Sequence, residues 1–375
     1  MKIAINTLSI VPGKMGGTET FLVNLVNNLF RFDKKNKFLL LVSRNNKKIF
    51  VSTSGNVEYL KFNFDNNSRV ERVFFEQFIL PQALKKRKVD ILVAPGNIGL
   101  ACCPCKLLLI VHDLIYFVYP KSYSFAKRFY LQNLVRYSCK KADRIITVSQ
   151  NTKNDIIKYF NINSDKIDVI YEGVDYDKFS RVTKEEAQGF IKNKYGIQDY
   201  VYSPTSLYLH KNNDFLIKSF AKLKKDKKIS LKLVITGFDP QNKKKMLRNI
   251  ISKCGMKDKI FFFEEVPSSH LPYFYRGAKI TVYLSSYEGF GLPILEAMTS
   301  GCPVLSSDRS SLPEVVGEAG VLVDPFNIEE VSDKMYELLT DKNFREECIA
   351  KGLVRAKEFS WENTVKNMIK TYEKL

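Results

Sequence analysis

The stretch "KITVYLSSYEGFGLPILEAMTSGCPVLSSD" (279–308) contains a strand, a glycine-rich turn, a helix and a second strand. The run "KITVYLS" is strand-like, and Pro293 suits the first turn of the helix that follows. Gly301 suits the C-terminal exit of that helix, after which "CPVLSS" (302–307) resumes the strand pattern. Strand–helix–strand units of this kind predict an α/β fold built on a parallel sheet.

The same alternation extends over the whole chain in two series, which a polar stretch at 174–198 separates. The strand-like runs are "KIAINTLSI", "KFLLLVS", "VDILVA", "KLLLIVH", "DRIITVS" and "KIDVIYEG" in the first series, and "DYVYSPT", "LKLVITG", "KIFFFEEV", "KITVYLS", "CPVLSS" and "GVLVDP" in the second. We therefore predict two Rossmann-like doubly wound domains, 1–174 and 175–358, that face a central cleft. The final segment, 359–375, has apolar side chains at helical spacing and predicts a C-terminal helix.

Length and composition place the chain among globular proteins. It has 375 residues, of which 45% are hydrophobic and 26% charged, so two domains are expected. Its longest apolar runs, such as "FLLLV" (38–42), are too short to span a bilayer, and Met1 leads directly into a strand. We expect a cytoplasmic protein without a signal peptide.

The charge is strongly basic and unevenly divided. The formal net charge is +19, with +13 in residues 1–175 and +6 in residues 176–375. Nucleic acid, an anionic membrane and a phosphorylated substrate are the partners that such a balance favours. The basic residues are dispersed and no nucleic-acid-binding module is recognised, so we predict no nucleic-acid partner.

The seven cysteines are scattered apart from "CCPC" (102–105). That spacing is not the Cys-x₂₋₄-Cys pair of a structural zinc site, although His112 is near in sequence. Reduced thiols beside a turn are the preferred interpretation.

The turn in the opening stretch is the strongest candidate site. Glu288 follows the strand, Gly289 and Gly291 permit a tight turn, and Glu296 comes early in the helix. Backbone N–H groups at a helix N-terminus bind phosphate, and carboxylates accept hydrogen bonds from sugar or ribose hydroxyls. Acid–base work by the two carboxylates is less favoured, because Glu296 has no obvious route to the same atom. A turn with two solvated glutamates is the alternative.

Further candidates also follow strands, where open α/β sheets bind ligands. Lys211, in "SLYLHKNND", is a cation for a phosphate, and a surface lysine is its alternative. His112 ends "LLLIVH", where a structural histidine is the alternative. Other candidates for donor binding are turn glycines before the first helix and residues that close strand-like runs: Gly16, Gly17, Gly237 and Val266. The glycine turn fits neither GxGxxG nor the P-loop.

Taken together, the motifs resemble the retaining nucleotide-sugar glycosyltransferases of family 4, which have the two-domain GT-B fold. The most specific piece is E-x₇-E, from Glu288 to Glu296 in "EGFGLPILEA". The supporting pieces, in the family's order, are "GGTETF", "HDL", "KADRIITVS", "VIYEGVD", "HKN", "ITG" and "SLPEVVGEAGVLVDP". The resemblance implies an N-terminal acceptor-binding domain, a C-terminal nucleotide-sugar-binding domain and a tail helix that packs back on the N-terminal domain.

The resemblance also implies roles for individual residues. Glu288 would contact the donor sugar and Glu296 the nucleotide ribose, while Lys211 would bind the diphosphate. His112 would lie over the donor sugar. Backbone N–H groups near the sugar and diphosphate would come from two loops: Gly16, Gly17, Phe290, Gly291 and Leu292. Two positions depart from the family, because many members have arginine where this chain has Thr205 and His210. Protonated His210 would be needed to replace a missing cation.

Members of this family are expected to transfer a glycosyl group without an enzymic nucleophile, a cofactor or a metal ion. The expected donor is a nucleoside-diphosphate sugar, with GDP-mannose first and UDP-glucose or UDP-N-acetylglucosamine next. The expected acceptor is a lipid-linked glycan or an oligosaccharide of a cell-surface polysaccharide such as lipopolysaccharide. A sugar-nucleotide epimerase or a phosphorylase is a less favoured alternative. Epimerases usually show a different histidine and glutamate pattern, and no cofactor-lysine motif indicates a phosphorylase.

The basic N-terminal half carries one more expectation. "LIYFVYPKSYSFAKRFYLQ" (114–132) interleaves aromatic residues with Lys121, Lys127 and Arg128, and "LKKRK" (84–88) adds a basic run. Basic residues near an anionic membrane contribute about 1 kcal/mol each. We therefore expect peripheral contact with the inner face of the cell membrane, with an ordinary solvated surface as the alternative.

Overall fold

The computed structural model describes residues 1–13, 16–50, 55–120 and 123–375. The chain forms two compact units. The first unit contains residues 1–173 and 361–375, and the second contains residues 174–360. The predicted divisions, after residues 174 and 358, lie one and two residues from those in the structure.

The first unit is built on a parallel sheet whose strand order is β3-β2-β1-β4-β5-β6-β7. Its strands are β1 Lys2–Asn6, β2 Lys37–Ser43, β3 Val57–Phe62, β4 Ile91–Ala94, β5 Lys106–Val111, β6 Arg144–Thr147 and β7 Ile167–Val169. Its helices before the second unit are α1 Gly17–Phe32, α2 Arg69–Phe74, α3 Leu80–Lys86, α4 Ile115–Val118, α5 Phe125–Lys141 and α6 Gln150–Phe160. A π-helical turn, Phe75–Ile79, joins α2 to α3.

The second unit repeats the plan with a parallel sheet of order β10-β9-β8-β11-β12-β13. Its strands are β8 Tyr200–Pro204, β9 Lys232–Thr236, β10 Ile260–Phe263, β11 Ile280–Tyr283, β12 Val304–Ser307 and β13 Val321–Val323. Its helices are α7 Tyr176–Ser180, α8 Lys184–Tyr195, α9 Asn213–Lys227, α10 Lys244–Lys253, α11 Leu271–Gly277, α12 Leu292–Thr299, α13 Leu312–Val316, α14 Ile328–Thr340 and α15 Lys342–Glu358. Both units are therefore Rossmann-like, as predicted.

Each strand-like run quoted from the sequence forms a strand. The strand β3, "VEYLKF", was not among the predicted strands; it pairs with β2 at the edge of the first sheet. Of its six residues only Phe62 is buried, so the apolar pattern that marks the central strands is absent there. Edge strands of this kind give a weak sequence signal because one face and one edge meet solvent.

The terminal helix α16, Trp361–Tyr372, packs in the first unit. It buries Trp361, Val365, Met368 and Tyr372, which are among the apolar side chains whose spacing predicted the helix, while Ile369 is partly buried. Within the described residues no helix is long and apolar enough to cross a membrane.

Candidate active site

Lys211 and Glu288 form an ion pair at the carboxyl end of β11. The Lys211 ammonium also donates to the Tyr283 hydroxyl at 2.8 Å, and that hydroxyl donates to Glu288 Oε1 at 2.8 Å. The three groups thus make a closed triangle in which the Lys211 and Glu288 side chains are only 12% and 16% exposed. The structure therefore brings together two residues that the sequence nominated, and it adds Tyr283.

The loop that contains Lys211 is held against the residues after β11 by hydrogen bonds to backbone groups, which places Lys211 beside Glu288. The Asn212 side chain donates to the Leu284 carbonyl at 2.7 Å, and the Ser286 N–H donates to the His210 carbonyl at 2.7 Å. Asn212 itself has φ +53, a left-handed conformation that asparagine tolerates better than most residues. The "HKN" segment is therefore fastened to the residues just after β11, which fixes the position of the lysine.

The charge state of Glu288 follows from this environment. Burial disfavours its ionised form, but the Lys211 charge and hydrogen bond outweigh burial and hold the pKa of Glu288 below its usual value. The carboxylate is therefore ionised at neutral pH and can accept hydrogen bonds. Burial, followed by the Glu288 charge, raises the pKa of Tyr283, so its hydroxyl stays protonated.

Two serines that the sequence analysis did not nominate hold the turn after Glu288. Ser310 Oγ donates to the Glu288 carbonyl at 2.8 Å, and Ser311 Oγ donates to the Phe290 carbonyl at 2.7 Å. Both precede the "LPEVVG" helix, and Ser311 is the first residue of a motif that was quoted for its family resemblance only. They stabilise the turn, and no sequence pattern indicates which carbonyl groups they contact.

The turn leads into α12 with the chemistry predicted for it. Gly291 is the residue before the helix and has φ +126, a conformation suited to glycine. A Cβ on Gly291 would lie 2.9 Å from Leu312 Cδ2, so the position also needs a small residue. Leu292 is the first residue of the helix. The buried Phe290 ring packs against the Phe359 ring, and the two ring centroids are 5.7 Å apart.

Glu296 lies on α12 and has a different partner from Glu288. It accepts a hydrogen bond from the Tyr275 hydroxyl at 2.6 Å. Burial raises the pKa of Glu296 to about 7, against opposing contributions from Tyr275 and Lys178. Near neutral pH this carboxyl is therefore partly protonated, whereas Glu288 is ionised. The two glutamates of the motif have different electrostatic environments.

Thr205 and His210, which stand where many family members have arginine, do not supply a second cation. Burial, and then the Lys211 charge, lower the pKa of His210 to about 4, so its ring is neutral at neutral pH. The Thr205 hydroxyl donates to the neighbouring Ser206 carbonyl at 3.2 Å. Gly237 has a packing role, since a Cβ there would lie 2.6 Å from the Thr205 carbonyl oxygen. Val266 is partly buried in the loop after β10.

His112 lies in the first unit, just after β5, with both ring nitrogens facing oxygen atoms. Nε2 is 2.9 Å from the Pro95 carbonyl oxygen, and Nδ1 is 3.5 Å from Glu172 Oε1. A neutral imidazole can donate to only one of these oxygens, whereas an imidazolium donates to both. Burial lowers the pKa of His112, but Glu172 and the Pro95 carbonyl outweigh burial and raise it above its usual value. The His112 and Phe21 rings form a T-shaped pair with their centroids 4.6 Å apart.

The glycine turn before α1 is described in part, because residues 14 and 15 lie outside the described ranges. Gly16 has φ +54, and α1 begins at Gly17. A Cβ on either glycine would meet no atom of the described structure within 4 Å. Packing against described residues therefore does not explain these glycines. Their role in approaching a phosphate stays a prediction.

Metal-binding clusters are absent from the described ranges. No group of three or more His, Cys, Asp or Glu side chains lies close enough there to hold an ion. Cys103 and Cys105 have their sulfur atoms 3.7 Å apart, and His112 is engaged with Pro95 and Glu172 instead.

Comparison with known proteins gives matches over most of the chain. A family model described as "Glycosyltransferase Family 4" matches residues 15–178, and one described as "Glycosyl transferases group 1" matches residues 184–355. O-antigen chain mannosyltransferase B of Escherichia coli is 33% identical over 264 residues, which are 70% of this chain and 69% of that protein. The serotype-specific mannosyltransferase WbdA of Escherichia coli is 29% identical over 280 residues, which are 72% of this chain and 34% of that protein.

A solved structure extends the likeness in fold to the full length. The crystal structure of Anabaena Alr3699/HepE in complex with UDP and glucose has a TM-score of 0.77, with 18% identity and 100% of both chains covered. At that identity the likeness concerns the fold. Together with the family matches and the relative at 33% identity, it shows that the chain belongs to glycosyltransferase family 4 and has the GT-B fold.

Proposed function

We propose that this glycosyltransferase moves a mannosyl group, with retention, from GDP-mannose to a lipid-linked or oligosaccharide acceptor of a cell-surface polysaccharide such as lipopolysaccharide. The names of the relatives, an O-antigen chain mannosyltransferase and a serotype-specific mannosyltransferase, support the sugar and the product class. The observation that carries the reaction type is the Lys211–Tyr283–Glu288 triangle beside the glycine turn.

The chemistry of the triangle fits the departure of a nucleoside diphosphate. An ammonium group has three N–H donors, of which Tyr283 and Glu288 take two, and the third can bind a phosphate oxygen. As the glycosidic bond breaks, negative charge grows on the leaving phosphate, where a fixed cation is most effective. Ionised Glu288 accepts hydrogen bonds from sugar hydroxyls. In this proposal no enzymic nucleophile is needed, because the acceptor enters on the face that the phosphate leaves.

The donor nucleotide is tested by thermal shift. GDP, UDP, ADP and dTDP are added in turn to the wild-type protein, to Glu296→Ala and to a control, Glu314→Ala, which changes a glutamate of α13 outside the nominated site. We expect GDP to raise the Tm of the wild type and the control by several degrees and to leave Glu296→Ala unchanged. If UDP alone raises the Tm, the proposed donor is a UDP-sugar and not GDP-mannose. No stabilisation by any of the four would contradict a nucleotide-sugar enzyme.

The raised pKa of Glu296 adds a pH signature to the same assay. Between its ordinary value and about 7, the folded protein holds a proton that the unfolded chain releases, so the contribution of Glu296 to stability falls as pH rises through that window. Ribose hydroxyls donate to the ionised form, so the GDP-induced shift should grow from about pH 6 to about pH 8. The glutamine in Glu296→Gln cannot titrate, so in this variant the GDP-induced Tm shift should not grow with pH. The GDP phosphates titrate equally with both proteins, so the difference between the wild type and Glu296→Gln reports the titration of Glu296 alone.

Peripheral membrane contact is the second part of the proposal. Phe125 and Phe129 stand one turn apart on α5 and are 73% and 62% exposed. Arg128 lies over the Phe125 ring at 5.3 Å, and Lys127 lies over the Tyr123 ring at 5.3 Å. Lys121, also nominated, lies outside the described residues. Exposed aromatic rings with interleaved cations suit the interface of an anionic bilayer.

A second exposed apolar row, which the sequence analysis did not nominate, supports the same contact. Val70, Phe74 and Phe78 are exposed at successive turns of α2 and the π-helical turn, and the rings of Phe74 and Phe78 are 5.4 Å apart. The exposed Lys85 and Lys86 follow this row in the chain. An exposed apolar surface with adjoining cations favours a membrane over bulk water.

Vesicle sedimentation tests this contact. We expect the protein to pellet with phosphatidylcholine vesicles that contain phosphatidylglycerol, and less so as salt rises, because screening weakens the attraction to anionic headgroups. Phe125→Ser with Phe129→Ser should lower the bound fraction severalfold. The matched control is Val354→Ser, which changes an exposed apolar residue of α15 in the second unit. Failure of the wild type to pellet with anionic vesicles would contradict membrane contact.

A further inference from the structure

The first unit contains a cavity of about 250 Å³ at the carboxyl ends of β1 and β4. One wall is formed by Asn6, the last residue of β1, and by Pro95 and Gly96, which follow β4. The other walls come from α2, the π-helical turn and α5. Ligands of parallel α/β sheets bind at this edge, so the location is that of a binding site.

The π-helical turn places two polar side chains, Glu76 and Gln77, in the lining of the cavity. Turns of this type are rare and are found frequently at functional sites, because they change the direction of side chains within a helix. Here the turn follows α2, whose Arg72 also lines the cavity, and it precedes Leu80, which begins α3. The irregular turn therefore coincides with the polar part of the lining.

The hydrogen bonds around Glu76 hold one carboxylate oxygen and leave the other for a ligand. Asn6 Nδ2 donates to Glu76 Oε1 at 3.1 Å. The orientation of the Asn6 amide is fixed in turn, because its oxygen accepts from the Leu8 N–H at 3.0 Å. Gln77 is arranged similarly, since its oxygen accepts from the Ala101 N–H at 2.9 Å and its NH₂ group is the end that can donate to a ligand.

Keeping a carboxyl group in this place has a cost in free energy. Burial raises the pKa of Glu76, although the Asn6 hydrogen bond and the Arg72 charge oppose the increase. An apolar residue would fill the same space more favourably if the only requirement were packing. A buried carboxyl beside a cavity is therefore better explained by recognition of a ligand that supplies hydrogen-bond donors.

The shape and chemistry of the cavity select the class of ligand. Its volume lies just below the range for drug-sized ligands, which suits a single sugar ring. Tyr130 and Tyr137 contribute aromatic surface, and Tyr137 also donates to the Ala101 carbonyl at 3.3 Å. Arg72 and Glu76 are the two charged residues of the lining, so it carries no net positive charge for a diphosphate, while the Glu76 oxygens accept hydrogen bonds from hydroxyls. A neutral hexose fits these conditions better than a diphosphate does.

We propose that this cavity binds the terminal sugar of the acceptor glycan, with Glu76 and Gln77 forming hydrogen bonds to its hydroxyl groups. The proposal rests on the glycosyl transfer proposed above and assigns the acceptor-recognition residues within the first unit. The Pro95 carbonyl that accepts from His112 belongs to the same loop that lines the cavity. The exposed apolar rows described above lie on the two helical segments that flank the cavity, so a lipid-linked acceptor could reach it from a bilayer.

The test uses simple glycosides as probes, because the natural acceptor is unidentified. Saturation-transfer NMR is recorded on the full-length protein with the methyl glycosides of α-mannose, β-glucose, β-galactose and β-N-acetylglucosamine. We expect at least one glycoside to receive saturation from the wild type. Glu76→Ala and Gln77→Ala should each weaken its binding about tenfold. The matched control is Glu71→Ala, an exposed position on α2 that does not line the cavity, and it should bind like the wild type.

The outcomes separate this proposal from the proposed function. No saturation transfer from the wild type to any of the four glycosides would overturn the acceptor cavity, whatever the nucleotide panel shows. Equal binding by Glu76→Ala and Glu71→Ala would overturn the residue assignment. Glycoside binding that depends on Glu76, in a protein that no nucleotide stabilises, would support a sugar-binding cavity while contradicting glycosyl transfer. Assay of transfer with the bound glycoside then checks the role directly, and Glu76→Ala should raise its KM about tenfold.

Discussion

Replacing Lys211 by alanine is expected to lower kcat about 10²–10³-fold. The lysine is fixed by Tyr283 and Glu288, so its charge needs no rearrangement when the diphosphate leaves. Loss of one such preorganised group has this magnitude in other enzymes. The measurement is the rate of glycosyl transfer at saturating donor, using the nucleotide sugar that the thermal-shift panel identifies. Lys218→Ala, at a partly exposed lysine of α9 paired with Asp214, is the matched control and should stay within about twofold of the wild type.

Stability has to be separated from catalysis in this experiment. Without Lys211, Glu288 would be a partly buried carboxylate lacking its cation, and loss of one partner of a buried pair costs up to about 3–5 kcal/mol. Rates are therefore compared per folded molecule, well below the Tm of each variant. Lys211→Arg keeps the charge and should recover part of the activity. A folded Lys211→Ala enzyme with a rate within about threefold of the wild type would refute a role for Lys211 at the leaving group.

The sequence predicted the fold in detail because the central strands are buried on both faces. Such strands appear as continuous apolar runs, and the glycine and proline positions around 279–308 mark the turn and the helix. The strand β3 was not predicted because it lies at the edge of the sheet and only one of its residues is buried. The boundaries of the units were close to those observed, since a polar stretch marks one and the amphipathic α16 marks the other.

The sequence indicated individual candidate residues, but it did not indicate the side chains that contact them. The E-x₇-E spacing singles out Glu288, yet Lys211 is 77 residues away in the chain and meets it through a loop anchored by Asn212. Tyr283 belongs to an apolar strand, where an aromatic residue gives no sign that its hydroxyl is used. Glu296 gave no sequence signal for Tyr275 either. Contacts of this kind depend on the packing of distant segments, which no local pattern encodes.

A second large effect is expected from Gly173→Ala in the "YEGV" motif. A Cβ on Gly173 would lie 2.3 Å from the backbone nitrogen of Trp361 and 2.7 Å from its Cα, far inside contact distance. Because these are backbone atoms at the start of α16, the helix itself must shift, and with it the buried Trp361, Val365 and Met368. We expect the free energy of unfolding to fall by about 3–5 kcal/mol, comparable with truncation of a buried tryptophan.

Gly189→Ala is the matched control, and it should change the free energy of unfolding in the opposite direction. Gly189 lies within α8, where a Cβ would meet no described atom within 4 Å, so alanine should stabilise by up to about 1 kcal/mol. Thermal unfolding measures both variants, and amide hydrogen exchange locates the change. In Gly173→Ala, exchange should accelerate in residues 361–372 more than in α14. An unchanged Tm would contradict the tight contact between Gly173 and α16. A lowered Tm with unaltered exchange in α16 would place the strain elsewhere in the first unit.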